Sequence, residues 1–203
     1  MDARRQLIDA AKDLLWERGF EAMSPRAVLE RSGAGQGSLY HHFRGKLDLA
    51  AAALSETSEE LCGWLDERFA EGNSPLGTVR GWLGHPRDAL KGCRMGRMAA
   101  EAAIRDEAIR HPVGLYFTRL EQKLASAIGE AIEAGELPPG LDPLDLAATL
   151  SATVQGGYVL ARVRGDDGQM KRAVRGALSL LEHVARKSAA PVRSRRNGAR
   201  RLP

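Results

Sequence analysis

Apolar side chains recur every three or four positions along most of this chain, which is the spacing that predicts amphipathic α-helices. The first stripe of this kind spans residues 7–15, and Gly19 follows at the point where a helix commonly ends. The sequence contains no sustained alternation of apolar and polar residues, the pattern that predicts strands. The pattern therefore predicts an all-α fold.

Two further short helices are predicted within the first fifty residues. Ser24 is a suitable N-cap and Pro25 suits the first helical position, so a second helix begins there and ends at the glycines that follow. A third helix is predicted over about residues 36–43, with Leu39 and Phe43 on its buried side. Its remaining side chains then face outwards. A tight turn followed by a short helix that exposes small, amide and aromatic groups is typical of helix-turn-helix proteins, which read a DNA groove.

The residue types on this third helix suit contact with DNA. The Gln36 amide can make two hydrogen bonds to adenine, and the small residues after it let the helix approach the base edges. Tyr40, His42 and Lys46 can donate hydrogen bonds to phosphate oxygens, which fixes the register of the protein on the duplex. The sequence therefore predicts both kinds of contact from one short segment.

A glycine-rich loop that cradles a phosphate is an alternative interpretation of residues 33–37. Such loops follow a β-strand and carry a set glycine spacing or a Gly-Lys-Ser/Thr ending. Here a predicted helix precedes the glycines and no such ending follows them. We therefore favour the helix-turn-helix interpretation.

The first fifty residues resemble the DNA-binding domain of the TetR family of bacterial repressors. The matching positions are Gly19-Phe20, Met23-Ser24, the run from Gly33 to Phe43, Lys46 and Leu49. Gly35 departs from the family pattern, which usually has a Ser or Thr cap there. The resemblance implies base contacts by Arg26, Gln36, Gly37, Ser38 and His41. It implies phosphate contacts by Ser24, Tyr40, His42 and Lys46.

The rest of the chain predicts a larger helical domain. A long helix starts near Lys46 and ends around residues 72–75, and Pro86 interrupts the next one. The later helices are marked by Cys93, Met95, Met98 and Ile104; by Pro112 at the start of a longer helix; by the Asp142-Pro143 start; and by Met170 to Val184. We predict a DNA-binding domain over residues 1–46, an effector-binding and dimerisation domain over residues 47–187, and a basic, disordered tail over residues 188–203.

The formal net charge of +4 does not by itself indicate a nucleic-acid partner. The tail from Arg186 onwards holds seven basic residues and no acidic one, so the rest of the chain is net negative. The DNA prediction therefore depends on the motif and not on the overall charge. A solvated end is the favoured interpretation of the tail, and non-specific attraction to phosphates is the alternative.

Composition argues against several other classes of protein. The two cysteines are far apart, which predicts free thiols and neither a disulfide framework nor a metal site. The N-terminus is charged and amphipathic, unlike a signal peptide, and no apolar run is long enough to span a bilayer. We expect a cytoplasmic protein with no membrane contact, no metal and no cofactor. No acid–base pair or nucleophile motif is evident, so an enzyme on a helical scaffold is only a rival hypothesis.

The resemblance also implies a dimer and a ligand pocket in the second domain. In this family the last two long helices form a four-helix dimer interface, and the interface candidates are Ala152, Gly156, Ala161, Val174, Leu178 and Leu181. The pocket candidates are Trp64, Trp82, Met95, Met98, Tyr116, Phe117, Gln155 and Tyr158. Close packing inside one protomer and an ordinary core are the respective alternatives. Residues 92–101 also resemble a branch of the family whose effectors include flavonoid-like aromatics.

The predicted function is that of a ligand-responsive transcriptional regulator. A homodimeric repressor would bind a pseudo-palindromic operator in double-stranded DNA through residues 36–42 and release it when a small apolar or aromatic ligand binds. The alternative is a small-molecule binding module of the same fold that does not bind DNA.

Overall fold

The computed structural model describes residues 2–71 and 74–189, and their side chains as far as residue 186. The helices are α1 (Ala3–Arg18), α2 (Pro25–Ser32), α3 (Gln36–His42), α4 (Lys46–Ala70), α5 (Pro75–Gly84), α6 (Glu107–Glu133), α7 (Pro143–Arg164) and α8 (Gly168–Ala189). Two short 3₁₀ turns, Gly96–Ala100 and Ala102–Arg105, lie between α5 and α6. The described residues contain no strand, and the predicted all-α fold is confirmed. Residues 190–203 of the predicted tail lie outside the described residues, and α8 includes residues 188 and 189.

The first three helices start and stop where the local sequence predicts. Ser24 caps α2 by accepting a hydrogen bond from the Ala27 N–H at 3.1 Å, and Pro25 occupies the first helical position. Gly33 ends α2 in the left-handed conformation, with a φ of 69°. The Gly35 backbone precedes α3 with no side-chain cap, and α3 ends one residue before Phe43. A core that includes Leu7, Leu14, Met23, Val28, Leu39 and Phe43 holds these helices together.

The long helix α4 connects this three-helix unit to the rest of the chain. It packs against α1 on one side and against α6 on the other. Lys12 on α1 is buried, and its ammonium lies 3.0 Å from the Glu56 carboxylate and 2.7 Å from the Glu60 carboxylate of α4. A buried lysine needs such partners, because an unpaired charge away from water is costly. The ion pairs therefore fix α1 against α4.

The connection between α5 and α6, residues 85–106, differs from its predicted structure. A helix was expected around Cys93, Met95, Met98 and Ile104, whereas the chain forms only the two 3₁₀ turns there. Gly92 has a φ of 89°, and Glu101 is extended between the two turns, so no α-helix can run through the segment. Met95 and Met98 are still fully buried, which explains their helix-like spacing.

Pro112 lies inside a helix and not at its start. It was expected to open a helix, but α6 begins five residues earlier, at Glu107. The Asp106 carboxylate caps that start by accepting a hydrogen bond from the Ala108 N–H at 2.9 Å. Pro112 lies inside the helix, where its fixed φ is helical and its missing N–H removes one backbone bond.

The last two helices pack closely against each other, and α7 also packs on α6. At Gly157 of α7, an added Cβ would lie 2.8 Å from the Met170 sulfur of α8, so a larger residue there would displace the Met170 side chain. Arg80 of α5 and Glu182 of α8 form an ion pair at 2.6 Å, which ties α8 to the body of the domain. None of the described helices has the length and apolar character needed to cross a bilayer.

Candidate nucleic-acid interface and internal cavity

The α3 helix has one buried side and one polar side that faces solvent. Leu39 is 3% exposed, and Phe43, which follows the helix, is 4% exposed. The exposed positions are Gln36, Gly37, Tyr40 and His41, and the half-buried ones are Ser38 and His42. An added Cβ at Gly37 would meet nothing within 4 Å, so packing inside the chain does not require glycine there. The seven residues of α3 thus present a compact polar face.

The predicted contacts outside α3 have partners within the chain. Arg26 is exposed on α2, and its guanidinium forms an ion pair with Glu30 at 2.8 Å. The hydroxyl of Ser24 caps α2 as an acceptor, which leaves its hydrogen free to be donated. The Lys46 ammonium donates to the Glu21 carbonyl at 3.2 Å and lies 4.3 Å from the centre of the Phe20 ring. Lys46 therefore also holds the start of α4 against the α1–α2 turn.

A cavity of about 360 Å³ is lined by residues of α1, α4, α5, α6 and α7 and of the connection between α5 and α6. Five of its lining residues were predicted, namely Trp64, Trp82, Tyr116, Gln155 and Tyr158. The wall also contains Trp16, Leu61, His85, Pro86, Arg87, Asp88, Gly92, Cys93, Arg94, Leu120 and Val154. The predicted Met95, Met98 and Phe117 do not line it. The two methionines are fully buried, Met95 directly before the first 3₁₀ turn and Met98 within it. Phe117 packs edge-to-face on Tyr116, with 5.1 Å between the ring centroids.

Burial shifts the pKa values of several titratable side chains in the wall. Burial raises the pKa of Tyr158 to about 12 and raises the pKa of Tyr116 further, so both phenols keep their protons and can donate. Burial and the nearby Arg87 lower the pKa of His85, which favours a neutral imidazole. Arg87 itself donates to the Leu83, His85 and Trp82 carbonyls at 2.6–2.8 Å, and it thereby closes the C-terminal end of α5.

Trp16 brings α1, the first helix of the three-helix unit, into the wall of the cavity. Its indole N–H donates to the Gly92 carbonyl at 2.8 Å, across from α1 to the connection between α5 and α6. The Lys91 ammonium and the Arg94 guanidinium lie over the ring, 3.6 Å and 4.2 Å from its centroid. Trp16 was not among the predicted pocket residues, because α1 was assigned to the DNA-binding domain alone. The sequence feature that could have indicated this role is a bulky aromatic residue next to the buried stripe of α1.

A second contact joins the same two regions. Gly19 ends α1 with a φ of 83°, and an added Cβ there would clash with the Glu101 carboxylate. That carboxylate also accepts a hydrogen bond from the Glu21 N–H at 3.3 Å. The turn after α1 therefore contacts the Glu101 side chain, while Trp16 is hydrogen-bonded to the Gly92 carbonyl. Both contacts are made by the connection between α5 and α6, of which residues 85–88 and 92–94 line the cavity.

Comparisons with known proteins agree with this two-part arrangement. Residues 7–53 match the family described as bacterial regulatory proteins of the tetR family, and residues 77–177 match the tetracyclin repressor-like C-terminal domain. The chain belongs to the TetR family of bacterial transcriptional regulators. Because this family is not enzymatic, the rival enzyme hypothesis is wrong and the prediction of a non-enzyme is confirmed.

Similar TetR-family proteins cover most of the chain. The transcriptional regulator AcuR of Cereibacter sphaeroides is 26% identical over 79% of this chain and 77% of its own length. The transcriptional repressor KstR2 of Rhodococcus jostii is 26% identical over 65% of this chain and 64% of its own length. The solved structure of reduced E. coli NemR covers 90% of this chain and 97% of its own, with 21% identity and a TM-score of 0.79. The solved structure of a TetR-family regulator from Agrobacterium tumefaciens has a TM-score of 0.80 and 22% identity, and the match covers 90% of this chain and 97% of that protein.

In this TetR-family regulator the predicted interface residues lie on different sides of α7 and α8. Ala152 and Gly156 are exposed, and Val174 and Leu178 are half-buried. Ala161 and Leu181, at 0% and 3% exposure, are buried within the protomer. Large apolar side chains are also exposed on these two helices, namely Val159, Leu160 and Val163 on α7 and Leu180 on α8. Small residues on several faces had concealed which face points outwards.

Proposed function

We propose that this chain acts in the cytoplasm as a homodimeric repressor that releases a pseudo-palindromic operator when a small aromatic ligand enters the cavity. The observation that supports this most is the polar face of α3, which is exposed although its apolar side is buried in the domain core. A helix of this kind can enter the major groove with its N-terminal residues at the base edges. Operator binding is the behaviour of the family to which the chain belongs.

The two sets of DNA contacts have different tasks. Gln36, Ser38 and His41 face the bases, and Gly37 lets the backbone come close because no side chain intervenes. Arg26 reaches a base once its ion pair with Glu30 is broken. Breaking this pair costs little free energy, because both side chains are exposed to water. The phosphate contacts, which fix the register, come from Ser24, Tyr40, His42 and Lys46.

Dimerisation uses the outer face of α7 and α8. Ala152 and Gly156 are small, so a partner helix can approach them closely, and Val159, Val163 and Leu180 supply exposed apolar area. Val174 and Leu178, which are half-buried, lie at the edge of the contact. A two-fold axis through this face would place the two copies of α3 on half-sites about one helical turn apart, or a multiple of that.

The ligand acts through the wall that the cavity shares with α1. A ligand that moves residues 92–101 would shift the supports of both Trp16 and Gly19, and thus the orientation of α3 on DNA. The ligand must bind the released state more tightly, and a coupling of about 1–3 kcal/mol would change operator affinity about 5- to 150-fold. By reciprocity, operator DNA weakens ligand binding by the same factor.

The test is a gel-shift titration on the DNA upstream of the chain's own gene, followed by footprinting and analytical ultracentrifugation. We expect a protected site with two-fold symmetry and one or more dimers bound to it. Binding no tighter than to a shuffled duplex, or a monomer at micromolar concentration, would overturn the proposal. A purified protein that binds small molecules and no duplex at all would instead support the binding module without DNA affinity.

A further inference from the structure

The wall of the cavity contains more cations and hydrogen-bond donors than anions. Two guanidinium groups, Arg87 and Arg94, and two protonated phenols line it. Asp88 is the one carboxylate in the described part of the wall, and it accepts a hydrogen bond from the Lys91 backbone N–H at 3.0 Å. His85 is favoured as the neutral form. A ligand that complements this wall carries acceptors and negative charge.

The two guanidinium groups are used differently within the chain. Arg87 donates to three carbonyls at the end of α5, so its position and most of its donors are committed to the fold. Arg94 lies over the Trp16 ring and, among the residues that the structure describes, has neither an ion pair nor a hydrogen bond. Its donors are therefore available to a ligand.

The surroundings of Arg94 increase its attraction for an anion. Lys91 lies over the same indole ring, 3.6 Å from the ring centroid, so two cations share one aromatic residue. The acidic group that Lys91 influences, Glu17, is paired with Arg31 at 2.8 Å. Lys91 and Arg94 repel each other across the shared ring, and a bound carboxylate relieves that repulsion.

The rest of the wall suits a flat ring. All three tryptophans of the chain line the cavity, and His85 lies 4.8 Å from Trp64, centroid to centroid. The volume of about 360 Å³ is near the lower end for small-molecule sites, which limits the ligand to about one or two rings. Aromatic faces stack against such a ring in offset or edge-on arrangements.

We propose that the effector is an aromatic carboxylate whose ring lies among the three tryptophans and whose carboxylate is bound by Arg94 beside Trp16. The inference rests on the proposed function, because it names the ligand class of the same cavity. A planar guanidinium binds a carboxylate through two parallel hydrogen bonds, which gives direction as well as charge. Arg94 would then leave the Trp16 ring to bind the ligand. Ligand binding would thereby change a contact of α1 directly.

The experiment is calorimetric titration of the full chain with acids and their uncharged amides. The pairs are 4-hydroxybenzoate, 4-hydroxycinnamate and 2-naphthoate, each with the corresponding amide, so that ring size varies separately from charge. We expect at least one acid to bind about tenfold more tightly than its amide, since a charged hydrogen bond is lost in the amide. Arg94→Gln should reduce that preference to about twofold, and Arg105→Gln, which removes an exposed arginine outside the cavity wall, should preserve it.

The outcomes separate the ligand class from the proposed function. Amides that bind as tightly as acids, no saturable binding by any of the three acids, or an unchanged preference in Arg94→Gln would overturn the inference. Circular-dichroism melting shows whether Arg94→Gln is folded, and Arg94→Lys, which retains the charge, should recover part of the preference if the fold is intact. An acid that binds through Arg94 without releasing operator DNA supports the ligand class and contradicts the proposed repressor mechanism.

Discussion

The α3 surface and the internal cavity obtain their polar groups from very different lengths of chain. All seven residues of α3 are consecutive, and one stripe of buried residues determines which of them face solvent. The cavity wall instead takes residues from position 16 to position 158, on five helices and an irregular connection. Local pattern therefore specifies the first surface, whereas tertiary packing specifies the second. The two regions are connected through α1, which packs against α3 and places Trp16 in the cavity wall.

The largest expected effect is on the buried side of α3. Leu39→Ala removes a side chain that is 3% exposed and leaves a cavity in the core, which costs about 2–5 kcal/mol of unfolding free energy. Urea denaturation at fixed protein concentration measures this loss. Tyr40→Ala, one residue along and 56% exposed, should change the unfolding free energy by less than about 0.5 kcal/mol. Equal losses for both variants would contradict the assignment of buried and exposed faces.

The next effect concerns the polar side of the same helix. Gln36→Ala should weaken binding to the operator by about 1–3 kcal/mol and relax the preference at one base pair, because a paired amide contact is lost. Fluorescence anisotropy on operator and random duplexes measures both the loss of affinity and the loss of base preference. Gln122→Ala, an exposed glutamine of α6, serves as the matched control. If Gln36→Ala weakens the two duplexes equally, Gln36 does not read a base.

A smaller effect is expected at the contact between the two regions. Trp16→Phe keeps an aromatic ring but removes the hydrogen bond to the Gly92 carbonyl, which should lower the unfolding free energy by about 1 kcal/mol. Operator affinity without ligand should stay within about twofold, since α3 is untouched. The ligand-induced loss of operator affinity should shrink. A variant with full ligand response would show that α1 is not the route of coupling.

The smallest effect concerns the pH dependence of stability through His85. Its pKa in the folded chain is lowered by burial and by Arg87 and Arg68, from an ordinary value of 6.5. As the pH falls, the unfolded chain therefore takes up a proton at His85 before the folded chain does. The stability from neutral His85 is present above pH 6.5 and is lost as the pH falls below that value. Thermal melts between pH 5 and 8 should show a shallower decline for His85→Gln than for the wild type. Parallel curves would contradict the shifted pKa.

The sequence was most informative where neighbouring residues decide the structure. The helix α2 begins after Ser24, with Pro25 as its first residue, and ends at Gly33, as predicted, because caps act within one turn of a helix. The pattern around Met95 and Met98 was misleading, since two buried side chains at helical spacing also fit a pair of 3₁₀ turns.

The cavity could be predicted only in part. Its bulky members on long helices, such as Trp64 and Tyr158, are evident as apolar positions, but Arg87 and Arg94 lie in an irregular segment without periodicity. Trp16 enters the wall only because α1 packs against α4, at the level of the connection between α5 and α6. Similarly, only packing shows that Ala161 is buried within the protomer while Ala152 is exposed.

Hydrogen–deuterium exchange of the full chain with and without operator duplex tests whether α3 lies in the DNA groove. We expect slower exchange in peptides that cover α2, α3 and the first turn of α4, with little change in the exposed parts of α6. A duplex that binds tightly while residues 36–42 exchange as fast as in the free protein would contradict the claim that α3 lies in the DNA groove.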